Sequence, residues 1–226
     1  MKPVKALCLA LFEMLLKAFK NIFYRSFHIK SERRKIMGNV YKLSNNTKDY
    51  LDIYLNILGR MEENMSEAEV TNSISTTFIS QMIPHHEGAI EMSKNILRFT
   101  TNSDIETLAN EIINEQTAGI EKMREMVDNC SQTTNSDRDL KLYLTGFQKV
   151  FENMIKQMKN ARTSNNLDVN FLSEMIPHHM GAVNMCKNLL LFDICLPLRE
   201  LAEKMVYEQM EQLKTMQKLL FSLENK

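Results

Sequence analysis

The chain has 226 residues, of which 44% are hydrophobic and 25% are charged, a composition that is ordinary for a globular protein with its own core. Six Gly and four Pro occur beside 17 Met, and this scarcity of breakers favours an all-α fold. The net charge is zero, but residues 1–37 hold nine Lys or Arg against two Asp or Glu, so a basic segment precedes an acidic remainder. Because the excess of positive charge lies in that segment and the remainder is acidic, a nucleic-acid partner has little support.

The basic segment, residues 1–37, predicts an amphipathic helix. Apolar residues recur there at helical spacing, with Lys on the other side: Leu9, Phe12, Leu16, Phe19 and Phe23. Such a helix either lies on a membrane surface, through residues 1–30, or packs on the body of the protein, and the sequence leaves both open. The apolar run is too short to span a bilayer and no cleavage site of small residues follows it. We therefore expect a cytoplasmic protein, with membrane association as the open alternative.

An internal repeat covers most of the remaining chain. Shifting the sequence by 93 residues aligns residues 78–123 with residues 171–216, and 19 of these 46 positions are identical, where chance would give about three. We therefore divide the chain after the basic segment into two tandem repeats, residues 48–128 and 138–224.

The apolar spacing and the capping residues predict three helices in each repeat. Their expected limits are roughly 48–66, 75–98 and 104–128 in the first repeat, and 138–160, 168–191 and 197–223 in the second. Ser75 and Asp168 are the expected N-caps of the two middle helices. Three helices leave an apolar face uncovered, and either the other repeat or the N-terminal helix can cover it.

The middle helices carry the stretches "MIPHHEGAIEM" and "MIPHHMGAVNM", which hold four of the five His of the chain. On a helical wheel, side chains of the first stretch fall within one face about 120° wide: Met82, His85, His86, Ala89 and Met92. Pro84 lies just before the His pair, where a proline removes a backbone donor and costs about 3 kcal/mol. We expect a helix break there and at the equivalent Pro177.

The outer helices of each repeat add methionines at matching positions. Met61 and Met65 share a face in the first helix, as Met154 and Met158 do in the second repeat. Gln116 with Met123 recurs as Gln209 with Met216 in the third helices. The candidate metal ligands are therefore His85, His86, Met61, Met65, Met82, Met92 and Met123, with His178, His179, Met154, Met158, Met175, Met185 and Met216.

Thioethers with neutral imidazoles form a soft ligand set that selects Cu(I), and to a lesser degree Ag(I), over hard cations. Mg²⁺ and Ca²⁺ prefer oxygen ligands, which the shared face lacks. Glu87 and Glu91 flank the first His pair, but Met180 and Asn184 replace them in the second, which counts against a carboxylate di-iron site. The alternative is that the methionines and imidazoles are core residues with no ligand role.

The four cysteines show no CxxC pairing. Free thiols in a reducing compartment are the expectation for Cys8, Cys130, Cys186 and Cys195.

The duplicated His-His stretch resembles the core motif of the family known as domain of unknown function 305. The resemblance covers about 48–127 and 141–220 and implies a ferritin-like helical bundle, with copper binding in some members. By position, Met82, His85, His86 and Met92 match the metal-face residues of that family. Their equivalents are Met175, His178, His179 and Met185. Gly119 and Gln212 stand where the family commonly has Glu, so a role for that carboxylate does not transfer.

Three functions are compatible with these features. The first is Cu(I) binding for storage, buffering or resistance, with one soft site in each repeat and no catalysis. The second is a non-catalytic structural or interaction module, in which the His pairs are buried core contacts and the basic segment meets a membrane surface. The third, a redox enzyme on a ferritin-like bundle, is least supported because the chain lacks the carboxylates and shows no nucleophile–base set.

Overall fold

Six α-helices and their connections make up residues 43–225, the part of the chain that the computed structural model describes. Each repeat contributes three, as expected, and the fold is an all-α bundle. The helices are α1 (Asn45–Ser66), α2 (Ile74–Ile96), α3 (Ser103–Cys130), α4 (Asp137–Lys159), α5 (Leu167–Leu189) and α6 (Leu196–Glu224). The basic segment, its predicted amphipathic helix and Cys8 lie outside the described residues.

The N-caps of the two middle helices lie two residues before the predicted positions. The Ser73 side chain accepts a hydrogen bond from the Thr76 N–H at the start of α2. Asn166 accepts one from Val169 N–H, at 3.2 Å, at the start of α5. The prediction of Ser75 and Asp168 as caps is wrong because both residues already lie in the first helical turn, whereas an N-cap has extended backbone angles.

Both middle helices run without a break through their internal prolines, so the predicted breaks are wrong. Pro84 lies inside α2 and Pro177 inside α5. Most side chains of these two helices are buried. The apolar surface that they remove from water outweighs the one backbone hydrogen bond that each proline eliminates.

Within each repeat the middle helix packs against both neighbours, α1 and α3 around α2, and α4 and α6 around α5. The two repeats meet through α2 against α5 and α3 against α6. The other repeat therefore covers the apolar face that three helices leave open. The buried side chains of both repeats form one continuous core.

Glycines one turn after each Pro bring α1 and α4 close to the middle helices. A Cβ atom placed on Gly88 would lie 2.6 Å from Met61 Sδ, and one on Gly181 would overlap Met154 Sδ in the same way. Real Cβ atoms do not approach so closely, so only Gly lets these thioethers lie against the backbone beside the His pairs.

Cys130 and Cys195 form a disulfide that joins the end of α3 to the N-cap of α6. The expectation of free thiols is therefore wrong for these two residues. Nothing in the sequence indicated this bond because 65 residues separate the two cysteines, and only the packing of the repeats brings the two helix ends together. Cys186 is a buried free thiol, and burial raises its pKa to about 12.

None of the helices in residues 43–225 combines the length and the apolar character that a bilayer crossing requires.

Candidate metal centre

The four histidines of the two repeats meet where α2 packs against α5. The rings of His85 and His178 are stacked, with centroids 3.7 Å apart and planes inclined by 29°. His86 lies beside His85 at 6.0 Å between ring centroids, and His179 lies beside His178 at 5.8 Å. This arrangement differs from the expected pair of separate clusters, because the helices that carry the His pairs face each other across the repeat interface. We call these four residues the histidine cluster.

The histidine cluster is enclosed by protein. His85, His178 and His179 are fully buried, and His86 is 2% exposed. Burial is the main cause that lowers all four imidazole pKa values, to about 3 for His86 and about 4 for His179. The neighbouring imidazoles lower the pKa values of His85, His86 and His178 further. The cluster is therefore neutral at pH 7, the state in which imidazole binds a metal ion.

Hydrogen bonds fix the proton position on both histidines of the second repeat. His178 Nε2 lies 3.1 Å from the His85 carbonyl, which only accepts, so Nε2 carries the proton. His179 Nε2 lies 2.8 Å from Gln212 Oε1. The Gln212 amide donates its Nε2–H to Glu115 Oε2 at 2.8 Å, so its oxygen faces His179 and His179 also carries its proton on Nε2.

In the first repeat, His85 lacks such support. Neither of its ring nitrogens makes a well-formed hydrogen bond to any residue of the described chain, although the ring is fully buried. The Nδ1 atom of the stacked His178 is also without a partner there. A buried polar atom that lacks a partner costs about 1–3 kcal/mol. The unpartnered nitrogens of these two facing imidazoles therefore either destabilise the core or act as ligands for a bound ion.

All ten methionines predicted as ligands are buried in the same core as the histidine cluster. Each is at most 2% exposed. Met61 and Met154 lie against the glycines that follow the His pairs. The methionines are Met61, Met65, Met82, Met92, Met123, Met154, Met158, Met175, Met185 and Met216.

Within residues 43–225, no three His, Cys, Asp or Glu side chains come together in an arrangement that would hold a metal ion. A centre at the histidine cluster would therefore need thioether ligands in addition to imidazoles. Glu87 and Glu91, the acids nearest the first His pair in sequence, instead form ion pairs with Arg124 and Arg60 at the surface.

Residues outside the predicted ligand set surround the cluster. Gln212 and Glu115 hold His179, whereas at the position equivalent to Gln212 in the first repeat Gly119 has no side chain that could bond to His86. Gln116 and Gln209, which match the last helix of the family, are 3% exposed, and Oε1 of each has no partner among the described residues. The 93-residue shift aligns position 119 with position 212, so the alignment carried a hint of this asymmetry.

Two equivalent tyrosines each donate a hydrogen bond to a buried side chain of the other repeat. Tyr50 donates a hydrogen bond to Glu174 Oε2, and its equivalent Tyr143 donates one to Gln81 Oε1 at 2.6 Å. Glu174 is 2% exposed, and burial raises its pKa well above the ordinary value, so its carboxyl group is held neutral. Among the described residues, Glu174 is the one acid buried in the core, and it carries no charge that would attract a hard cation.

Comparison with known proteins points to one family. The family described as Domain of unknown function (DUF305) matches residues 75–220. No curated protein sequence matches the chain.

Solved structures share the fold at low identity. CopM in the Ag-bound form, obtained by soaking, has a TM-score of 0.50 and 24% identity over 67% of this chain and 98% of that one. CopM in the Cu(II)-bound form has a TM-score of 0.50 and 23% identity over 66% and 97%. A DUF305 fragment from Deinococcus radiodurans has a TM-score of 0.49 and 22% identity over 66% and 96%. At this level the likeness to CopM concerns the fold.

Proposed function

The chain belongs to the DUF305 family, and we propose that it binds a soft monovalent ion, foremost Cu(I), at the histidine cluster. The observation that carries this proposal is the stacked pair His85 and His178, in which both buried ring nitrogens of His85 and Nδ1 of His178 lack well-formed hydrogen bonds within the described chain. An ion bound there would satisfy atoms that the protein leaves unsatisfied.

The chemistry of the surrounding core favours a soft ion. Neutral imidazole nitrogens and thioether sulfurs are the ligands that Cu(I) and Ag(I) accept readily, whereas Mg²⁺ and Ca²⁺ require oxygen. Among the described residues, the carboxyl group that is buried in the core is that of Glu174, and it is neutral because burial raises its pKa. Some of the ten buried methionines would complete the coordination, since imidazoles alone do not form a closed site here.

The centre would be shared by the two repeats. His85 comes from the first repeat and His178 from the second, and their rings are in contact. An ion held by this pair belongs to neither repeat alone, in contrast to one independent site in each. The role that follows is storage, buffering or resistance, because no catalytic set accompanies the ligands in the described chain. The Ag-bound and Cu(II)-bound forms of CopM, which has the same fold, give this proposal further support.

Competition for Cu(I) against a coloured chelator tests the proposal. The double variant His85→Leu with His178→Leu removes the central imidazoles and keeps an apolar core, a change that is often neutral or stabilising when both polar partners are replaced. We expect the double variant to lose tight Cu(I) binding. Met126→Leu is the matched control, because Met126 is only partly buried against the same core and is not among the predicted ligands. Unchanged Cu(I) affinity in the double variant would contradict the proposal.

A structural or interaction module is the second candidate. The absence of a closed trio of His, Cys, Asp or Glu ligands in residues 43–225 favours it. In that case added Cu(I) would leave the melting temperature of the protein unchanged, since only a ligand that binds the folded state stabilises it. Contact of residues 1–30 with a membrane belongs to this alternative.

The disulfide bears on where the protein works. We expected a cytoplasmic protein, but disulfides persist mainly in oxidising compartments. The bond between Cys130 and Cys195 therefore favours maturation in an oxidising compartment.

A further inference from the structure

A cleft between α3 and α6 reaches the histidine cluster at His86. The cleft has a volume of about 240 Å³, while a water molecule in the liquid occupies about 30 Å³. Gln116 and Gln209 line it together with Gly119 and Met205. Both glutamine side chains are 3% exposed and their Oε1 atoms have no partner among the described residues. Because two buried amide oxygens in this cleft lack partners, the cleft can accept a polar molecule or a hydrated ion.

The two repeats differ where this cleft meets the histidines. A Cβ atom on Gly119 would lie 3.1 Å from both Cδ2 and Nε2 of His86, so any larger residue there would cover the edge of that ring. The equivalent residue of the second repeat is Gln212, which bonds to His179 Nε2 at 2.8 Å. Glu115 anchors Gln212 from the other side. His86 lines the cleft, whereas His179 is closed off by a hydrogen-bonded side chain.

We propose that the ion is taken up through the cleft between α3 and α6, with His86 as the receiving ligand, and that Gln212 closes the equivalent approach to His179. This inference rests on the proposed function and adds to it the route and the order of contact. The amide oxygens of Gln116 and Gln209 replace part of the water around the incoming ion. The ion then passes to His86 and from there to the stacked rings of His85 and His178.

Exchanging the two residues that differ tests the route. Gly119→Gln gives the first repeat the closing side chain of the second, and Gln212→Gly removes that side chain from the second repeat. Stopped-flow transfer of Cu(I) from a coloured chelator gives the uptake rate, and titration gives the stoichiometry. We expect Gly119→Gln to slow uptake by about tenfold, which corresponds to about 1.4 kcal/mol in activation free energy, with unchanged stoichiometry. Gln212→Gly should speed uptake, and the variant with both changes should load nearly as the original protein does.

A second measurement needs no metal. Nitrogen NMR of the imidazoles should show that His179 carries its proton on Nε2 in the original protein. In Gln212→Gly, the hydrogen bond that fixes this tautomer is lost, so the proton should be shared between Nε2 and Nδ1. The control is His178, whose Nε2–H is held by a backbone carbonyl and should not change.

The outcomes separate this inference from the proposed function. Cu(I) binding with equal uptake rates in the original protein, Gly119→Gln and Gln212→Gly would overturn the route and leave the centre standing. A protein that binds no Cu(I) at all would overturn both.

Discussion

Tyr50 of the first repeat donates its hydroxyl hydrogen to the buried carboxyl group of Glu174 in the second repeat. The equivalent pair in the other direction is Tyr143 with Gln81. One duplicated position therefore carries an acid in one copy and its amide in the other, in the same kind of contact. The difference between Glu174 and Gln81 makes it possible to test how burial affects the protonation of an acid at this position.

Glu174→Gln should make the protein more stable at alkaline pH. The folded-state pKa of Glu174 is raised by burial above the ordinary value of 4.5, so between these two values the folded protein holds a proton that the unfolded chain has released. Stability from this group is complete below pH 4.5 and is lost as the pH rises toward the folded-state pKa. We therefore expect the variant to be more stable than the original protein at pH 8, and to lose this advantage at pH 4. Urea unfolding at pH 4 and pH 8 measures the difference.

The reverse exchange is the control for this effect. Gln81→Glu places an acid beside Tyr143 and should add a second loss of stability between pH 4.5 and pH 8. Equal pH dependence in the original protein and in both variants would show that burial does not hold the Glu174 proton.

Gly88→Ala should destabilise the fold by about 1–3 kcal/mol, the usual cost of overpacking a core. The new methyl group would lie 2.6 Å from Met61 Sδ and 3.0 Å from its Cγ, so α1 or the Met61 side chain must shift. Gly59→Ala is the matched control, because Gly59 is exposed in α1 and nothing lies within 4 Å of an added Cβ. That substitution should stabilise the helix by about 0.5–1 kcal/mol. Thermal or urea unfolding measures both variants, and a loss of equal size in the two would refute the packing argument.

Replacing both Cys130 and Cys195 with Ala should lower the stability by about 4 kcal/mol, as chain entropy predicts for a loop of this length. The two residues are 65 positions apart, and their bond holds the end of α3 to the start of α6. A reducing agent should destabilise the original protein to a similar extent and leave the double variant unaffected. A thiol count of three in the unfolded, unreduced fragment 43–226 would show that the bond does not form, since a formed bond leaves Cys186 as its one free thiol.

The sequence predicted much of this fold because the repeat supplies every helix twice. Aligning the copies placed the limits of α1 to α6 within a few residues, and the apolar spacing of α2 placed Met82, His85, His86 and Met92 in the interior. Local spacing does not reveal how two copies dock. The stacking of His85 on His178 depends on the packing of α2 against α5, which lies beyond any single-helix pattern.

Other features escaped prediction because they break the symmetry of the repeat. The shift of 93 residues places Asn102 opposite Cys195 and Leu223 opposite Cys130, so the repeat gives no indication of the disulfide. The hydrogen bond from His179 to Gln212 likewise has no counterpart at Gly119. Pro84 and Pro177 led to a prediction that the structure does not follow. Local propensity predicts a helix break at a proline, but the helices continue because most of their side chains are buried.

The shared centre is tested most directly by Cu(I) titration of the single variant His85→Leu against a competing chelator. If the repeats share the centre through the stacked rings, removing one imidazole from the first repeat abolishes all tight binding, although the second repeat keeps both of its histidines. Retention of half of the tightly bound Cu(I) would instead mean one independent site in each repeat, and retention of all of it would mean that the histidine cluster holds no ion.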